Sequence, residues 1–158
     1  MNVEELMSKE VRFCMPDHSL ACAAQVMWES DCGCVPVVDP AGRVSGIITD
    51  RDVCMASYLN ARAPQDLKVR DFMSHGVLAC RAEDEVADAA SMMRRAQVRR
   101  LPVTDADGRL MGILSLNDIA ASAHEAEEDG PPELTTDEVG RTLCAVSQHR
   151  SPGMPLPA

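Results

Sequence analysis

The chain contains one unit twice. When the sequence is shifted by 66 residues, positions 3–57 align with positions 69–123 without a gap. Matching pairs in this register include Met7/Met73, Ser8/Ser74, Val11/Val77, Cys14/Cys80, Pro36/Pro102, Val37/Val103, Gly46/Gly112, Ile47/Ile113 and Asp52/Asp118. A shared register of this length indicates a supersecondary unit repeated in tandem. Because a unit of about 55 residues buries little surface by itself, we expect the two copies to pack face to face as a pseudo-twofold pair.

Each copy has the pattern of a β-α-β-β-α unit. Short apolar runs at 11–14 and 77–80 predict a first strand. Two strands joined by a turn that ends in glycine are predicted at 35–38 and 44–48, and again at 101–104 and 110–114. A second helix is predicted over 49–60 and 115–123. The first helix of each copy is predicted from apolar residues at helical spacing, namely Leu20, Ala23, Ala24 and Met27, then Val86, Ala89, Ala90 and Met93.

These elements define an α/β (α+β) chain with four segments. We place repeat 1 at 1–60, a linker at 61–68, repeat 2 at 69–123 and an acidic, proline-rich tail at 124–158. Residues 136–148 are compatible with one short helix, and the rest of the tail lacks apolar periodicity and is expected to be mobile.

The overall charge and composition exclude several classes of protein. A net charge of −10 argues against general nucleic-acid binding, which needs clustered Lys and Arg. No apolar run approaches the ~20 residues that span a bilayer, and the start of the chain lacks a signal-peptide pattern. Seven cysteines form an odd set without framework spacing, which predicts reduced thiols. We therefore expect a cytoplasmic protein without nucleic-acid or membrane partners.

Each repeat carries a motif at the junction between its last strand and second helix. The motif reads Gly-apolar-apolar-hydroxyl-x-x-Asp, at 46–52 and at 112–118. Unpaired N–H groups at a helix start suit a phosphate, and a hydroxyl from Thr49 or Ser115 can donate to it. Asp52 or Asp118 can accept from ribose hydroxyls. The alternative is a capping box, in which the same side chains satisfy only the helix itself.

Two such motifs inside a matching repeat resemble the nucleotide-binding signature of CBS domains, over residues 3–123. The resemblance implies a stand-alone regulatory pair, often a disc-like homodimer, that catalyses no reaction and signals to another, unidentified protein. It implies no required cofactor, but a regulatory ligand: AMP, ADP, ATP or, as an open alternative, S-adenosylmethionine. It also implies two clefts that combine both repeats. One joins Thr49, Arg51 and Asp52 to Val77, Arg99, Arg100 and Leu101; the other joins Ser115, Asn117 and Asp118 to Val11, Cys34 and Val35.

The two implied clefts differ in charge. Arg51, Arg99 and Arg100 favour the Asp52 cleft, because the guanidinium fork matches phosphate geometry. Asn117 replaces Arg51 in the second copy, and Cys34 stands where the other repeat has Arg100. The Asp118 cleft is therefore expected to bind more weakly, or to prefer a less charged adenosine compound.

Two rival functions stay open. In a structural interaction module, the clefts would be vestigial. Trp28, which follows Met27 and has no counterpart in the second repeat, would then mark a partner or dimer face; a partly buried anchor is the alternative. A thiol or metal sensor would use Cys32 and Cys34, with Cys14, Cys22 or His18 folded nearby. Zinc usually takes four ligands at defined spacing, so the sequence predicts no metal site and no catalytic residues.

Overall fold

A computed structural model describes residues 1–129 and 135–148, and for residues 125–129 it describes the backbone. The order of elements follows the predicted repeat. The first part of the chain contains α1 (Val3–Leu6), α2 (Leu20–Glu29), β1 (Cys34–Val38), β2 (Val44–Thr49) and α3 (Asp50–Asn60). The second contains β3 (Cys80–Arg81), α4 (Val86–Ala96), β4 (Arg100–Thr104), β5 (Leu110–Ser115), α5 (Leu116–Asp129) and α6 (Thr136–Ser147). The predicted helices and hairpin strands are confirmed.

The chain forms two compact units, and each unit combines segments that are separated in the sequence. Among the described residues, the first-repeat unit consists of 11–77 with 107–110, and the second-repeat unit consists of 1–10, 78–106, 111–129 and 135–148. Each unit thus includes a stretch of chain that precedes the other repeat in sequence. The division into repeat 1, linker and repeat 2, with boundaries at 60 and 68, remains a prediction.

The first-repeat unit is built on an antiparallel hairpin covered by two helices. In this hairpin β1 pairs with β2, with Val35 opposite Ile48 and Val37 opposite Gly46. Gly42 closes the turn with φ of +81°, a conformation that glycine adopts without steric cost. The core consists of apolar residues from both strands and both helices, including Leu20, Ala23, Met27, Val35, Val37, Ile48, Val53 and Ala56.

Residues 61–77 pack on this unit instead of forming an exposed linker throughout. Two 3₁₀ turns, Pro64–Asp66 and Val69–Asp71, flank the buried side chain of Leu67. The Leu67 carbonyl accepts from Leu20 N at 2.9 Å, and Ser74 exchanges backbone hydrogen bonds with Ile47. Leu67 and its neighbours therefore belong to the core that α2 and β2 define.

The second-repeat unit has a three-stranded sheet in the order β3-β4-β5. Its core combines α4, α5 and the strands with Val3 and Met7 from the first ten residues. Ser8 pairs with Ile113 of β5, as Ser74 pairs with Ile47. The two units thus share one internal arrangement. In each unit, the last strand of the repeat pairs with a residue from the segment that precedes the other repeat in sequence.

The predicted first strands are shorter than expected. Of residues 11–14, Cys14 alone makes a β-bridge, parallel to Val37, and in the second repeat β3 covers only Cys80 and Arg81. Phe13 and Leu78 are exposed, so the apolar runs that suggested strands are not buried along their length.

The C-terminal helices extend the second-repeat unit. The described α5 runs to Asp129, six residues beyond the predicted end, because Glu and Ala continue the helix up to Gly130-Pro131. The predicted helix over 136–148 is confirmed as α6, which packs on α4 through buried Thr142 and Val146. The remainder of the tail, predicted to be mobile, lies outside the described residues. Within the described chain, no helix is long and apolar enough to cross a membrane.

Candidate nucleotide-binding site

Both strand-to-helix junctions form complete capping boxes. At α3, the Oδ2 atom of Asp52 accepts from Thr49 N at 2.9 Å and from Thr49 Oγ1 at 2.6 Å, and Asp52 N donates back to Thr49 Oγ1 at 3.1 Å. At α5, Ser115 and Asp118 repeat these three bonds at 2.8, 2.7 and 3.2 Å. The capping alternative is therefore present in both repeats, in nearly identical geometry.

The N–H groups that were expected to be free at these helix starts are largely bonded. Asp50 N donates to the Gly33 carbonyl at 3.1 Å, and Leu116 N donates to the Arg99 carbonyl at 2.9 Å. Arg51 N donates to the carboxylate of Asp50 at 2.6 Å. The expectation of an open amide cradle is wrong for α3, because the Gly33 carbonyl and the side chains of Thr49 and Asp50 already accept from the N–H groups of its first turn. A phosphate here would depend mainly on side-chain cations.

A third capping box shows what this geometry does without a nucleotide motif. Thr135 and Glu138 at the start of α6 make the same reciprocal bonds. The backbone N–H of Thr135 holds the pKa of Glu138 below its usual value. Hydroxyl-x-x-acid geometry alone is thus a helix-capping device, and any ligand role for Asp52 or Asp118 needs further support.

One carboxylate oxygen in each repeat is not used by the cap. Both cap bonds end on Oδ2, and among the described residues no hydrogen bond reaches Oδ1 of Asp52 or Asp118. Both aspartates are half-buried. Each side chain is therefore fixed by its helix while presenting an acceptor that a ribose hydroxyl could occupy.

The predicted site residues differ in what they can offer a ligand. Val35 and Leu101 are 1% and 0% exposed, so only their backbone can meet a ligand. Val11, Val77, Cys34 and Arg100 are half-buried, whereas Arg51, Arg99 and Asn117 are exposed. None of the three arginines forms an ion pair with a described carboxylate.

Within each unit, the hydroxyl-x-x-Asp motif lies next to the residues that precede the proline of the same repeat. Cys34 is the register partner of Thr49 in the first-repeat unit. The Arg99 carbonyl lies against the start of α5 in the second-repeat unit. The two predicted clefts each draw residues from both units, and their assembly remains a prediction.

The thiols group differently from the sequence hypothesis. Cys32 donates its S–H to the Cys34 carbonyl at 3.3 Å, and the Cys32/Cys34 pair gathers no further ligand among the described residues. The donor atoms of Cys14, His18 and Cys22 instead lie within 4.8 Å of one another. Burial raises the pKa of Cys14 to about 12, and the nearby Cys22 adds to this effect. The sequence hypothesis named these three residues only as additional ligands of Cys32 and Cys34, because their spacing of four residues matches no familiar zinc pattern.

The chain belongs to the CBS domain family. The family model matches residues 3–58 and 69–125, which confirms both the resemblance and the tandem α/β repeat. The matched spans include both hydroxyl-x-x-Asp motifs.

The relatives include a protein matched over nearly its whole length and an enzyme matched over about a quarter of its length. The chain is 30% identical over 129 residues to the CBS domain-containing protein YhcV of Bacillus subtilis, covering 82% of this chain and 90% of that protein. It is 32% identical over 144 residues to inosine-5'-monophosphate dehydrogenase of Methanocaldococcus jannaschii, covering 91% of this chain but only 27% of the dehydrogenase. A solved structure of CBSX2 from Arabidopsis thaliana in complex with AMP is 26% identical, with a TM-score of 0.70, over 80% of this chain and 98% of that chain.

Proposed function

We propose that this CBS pair is a regulatory sensor of adenine nucleotides, AMP, ADP or ATP, and that it catalyses no reaction itself. The observation that carries the proposal is the repeated aspartate with a cap-fixed Oδ2 and an unoccupied Oδ1 among the described residues. Two ribose hydroxyls form a pair of donors that suits such a fixed acceptor. The AMP complex of CBSX2, a relative in fold and sequence, supports the same ligand class.

The phosphates are assigned to arginine side chains. Because the first-turn amides of α3 are already bonded, Arg51, Arg99 and Arg100 carry the role that free N–H groups would otherwise share. These cations have no described acidic partner, so binding a phosphate breaks no ion pair. We favour the Asp52 cleft over the Asp118 cleft, where Asn117 replaces Arg51.

Calorimetric titration of the full chain with AMP, ADP, ATP and S-adenosylmethionine tests this function. We expect micromolar binding of a nucleotide, lost in Asp52→Ala and retained in Asp118→Ala. Since both substitutions also remove a helix cap, Glu138→Ala is the matched control. It removes the equivalent cap from α6 and should leave binding unchanged.

The outcomes separate the candidate ligands and functions. Binding of S-adenosylmethionine alone would place the ligand among sulfonium adenosines and argue against the arginine assignment. Loss of binding in Glu138→Ala would mean that the aspartate variants report stability rather than contact. No binding by the wild-type chain would leave the structural interaction module as the better function.

A homodimer is the second part of the proposal. Trp28 is 87% exposed and Tyr58 is 78% exposed, and a pocket of about 540 Å³ is lined by Met27, Trp28 and Cys54, among other residues. Exposed aromatic side chains next to an apolar hollow are typical of protein contact surfaces. The exposure of Trp28 agrees with the predicted contact face and excludes a buried anchor within the described chain.

We expect ligand to act through this dimer, by binding one arrangement of the pair more tightly than another. Sedimentation velocity of Trp28→Glu measures the effect of a charge on the proposed contact face. A matched variant, Leu143→Glu, places the same charge on the exposed face of α6. Conversion to monomer by the first change alone supports the face, and a dimer that survives it overturns this assignment.

A further inference from the structure

The connection between the first β-bridge and α2 gathers three metal-ligating side chains in the first-repeat unit. These are Cys14, His18 and Cys22, whose donor atoms all lie within 4.8 Å of one another. Cys22 Sγ lies 3.7 Å from His18 Nδ1. In a tetrahedral zinc site, bond lengths near 2.3 Å for sulfur and 2.0 Å for nitrogen put two sulfurs about 3.8 Å apart and sulfur and nitrogen about 3.5 Å apart. Small side-chain rotations therefore suffice to meet that geometry.

The backbone holds all three positions before any metal arrives. Cys14 is fixed by reciprocal hydrogen bonds with β1, from Cys14 N to the Pro36 carbonyl and from Val38 N to the Cys14 carbonyl, both at 2.9 Å. The His18 carbonyl accepts from Val69 N at 2.9 Å. Cys22 lies in the first turn of α2, where its N–H donates to Ser19. A site whose ligands are already anchored loses little conformational freedom when it binds a metal.

The His18 nitrogen that lies near Cys22, Nδ1, carries a lone pair. Met15 N donates to His18 Nδ1 at 3.2 Å, and because a backbone N–H can only donate, Nδ1 carries no proton. The Cys22 thiol lies at the same nitrogen. One divalent cation would replace the two thiol protons and would take the Nδ1 lone pair that now accepts from Met15 N.

We propose that Cys14, His18 and Cys22 form a binding site for a zinc-like divalent ion. Two thiolates and one imidazole are a ligand set that zinc favours, and three protein ligands leave a fourth tetrahedral position for water or an external ligand. Binding would tie the start of α2 to the bridge on β1. This proposal is independent of the proposed nucleotide function.

The second repeat supplies an internal comparison. At the matching register it has Cys80, Asp84 and Asp88, so the buried thiol is retained but the imidazole and second thiol are replaced. Asp84 accepts from Arg81 N at 2.8 Å, as a local turn residue. The metal site is therefore assigned to the first repeat alone.

Metal titration of the full chain tests the site. The protein is stripped with a chelator, kept reduced with a phosphine, and titrated with Zn²⁺ against a chromogenic chelator and separately with Co²⁺. We expect one zinc ion per chain and a thiolate-to-cobalt charge-transfer band with the visible absorption of tetrahedral Co²⁺. Cys22→Ala and His18→Ala should each weaken zinc binding by more than about 100-fold, beyond the typical effect of losing an outer-shell partner.

Two control variants keep the test decisive. Cys80→Ala removes the buried thiol of the other repeat, and Cys54→Ser removes an exposed thiol, and both should bind zinc as the wild type does. Since His18 and Cys22 are only half-buried, their variants should fold, which circular dichroism checks. Zinc binding that persists in both ligand variants, or that Cys80→Ala abolishes, overturns the site, as does a wild-type chain that binds no metal.

Discussion

Replacing Gly46 by alanine should destabilise the first-repeat unit strongly. A Cβ at this position would lie 2.7 Å from the Ser74 carbonyl oxygen and 2.7 Å from the sulfur of Met73. The methionine can move, but the carbonyl belongs to a backbone segment paired with β2. Ser74 and Ile47 exchange two hydrogen bonds there, at 2.9 and 3.4 Å. Relieving the contact therefore requires that this segment leave the strand.

The expected loss follows from the two affected interactions. Overpacking in a closely packed core typically costs about 1–3 kcal/mol. Each backbone hydrogen bond contributes about 1 kcal/mol net. Detaching the segment would lose two such bonds, about 2 kcal/mol, and keeping it in place would retain the overpacking. We therefore expect Gly46→Ala to lower the free energy of unfolding by about 1–3 kcal/mol, and Gly112→Ala, whose Cβ would meet the Ser8 carbonyl at 2.8 Å, to do the same in the second-repeat unit.

Urea denaturation followed by circular dichroism measures this loss. Gly140→Ala is the matched control, because that glycine lies exposed in α6 with no atom within 4 Å of its added Cβ. It should raise stability by about 0.5–1 kcal/mol, as alanine does in an exposed helix. A Gly46→Ala protein within about 0.5 kcal/mol of the wild type would refute the close-approach argument.

Three further predictions concern buried polar groups. Burial raises the pKa of Cys14 to about 12 and that of Cys80 to about 11, so in the metal-free chain at pH 8 their thiolate fractions are roughly 10⁻⁴ and 10⁻³. In iodoacetamide labelling of the metal-free chain followed by mass spectrometry, both should react at least about 100-fold more slowly than exposed Cys54 and Cys144. Equal rates would contradict their burial. Because the pKa of Cys14 is raised in the folded protein, its contribution to stability is fully present below pH 9 and is lost as the pH rises toward 12. The free energy of unfolding of Cys14→Ala should therefore fall less steeply from pH 8 to 10.5 than that of the wild type. Parallel curves would argue against the shift. Thr142→Val removes the bonds to the Glu138 carbonyl and from an α4 arginine, so it should cost about 1–2 kcal/mol in urea denaturation, and an unchanged midpoint would mean that α6 docks through apolar contacts alone.

The elements of the fold were predictable because their signals are local. Helical spacing around Leu20 and Val86 located α2 and α4, and the Gly-containing turns located the hairpins. Both helix starts could be placed from the hydroxyl-x-x-Asp motifs, since the cap lies within four residues of chain.

The pairing of distant segments was not predictable in the same way. Ser8 and Ser74 contact the last strands through backbone groups, which leave no side-chain pattern in the sequence. Gly46 and Gly112 carry the one trace of these contacts, because a glycine is needed where another backbone approaches closely.

The sequence identified the candidate ligand-binding residues but not the hydrogen bonds and neighbours that surround them. The sequence could not show that the amides of Asp50 and Arg51 are already bonded, because Gly33 reaches α3 only through the hairpin. Nor could it show that Cys14 approaches Cys22, since that proximity depends on a single parallel bridge.

The packing of residues 1–10 on the second repeat has a consequence for biosynthesis. Val3 and Met7 are buried against the second repeat, and Ser8 pairs with Ile113, so these residues need partners that are made about 100 residues later. At about 5–20 residues per second, that interval is roughly 5–20 s. During it the nascent chain carries Val3 and Met7 without their final cover, while residues 11–77 already contain most of the first-repeat unit. A fusion that delays or restrains the first ten residues should therefore impair the half of the protein that is made last.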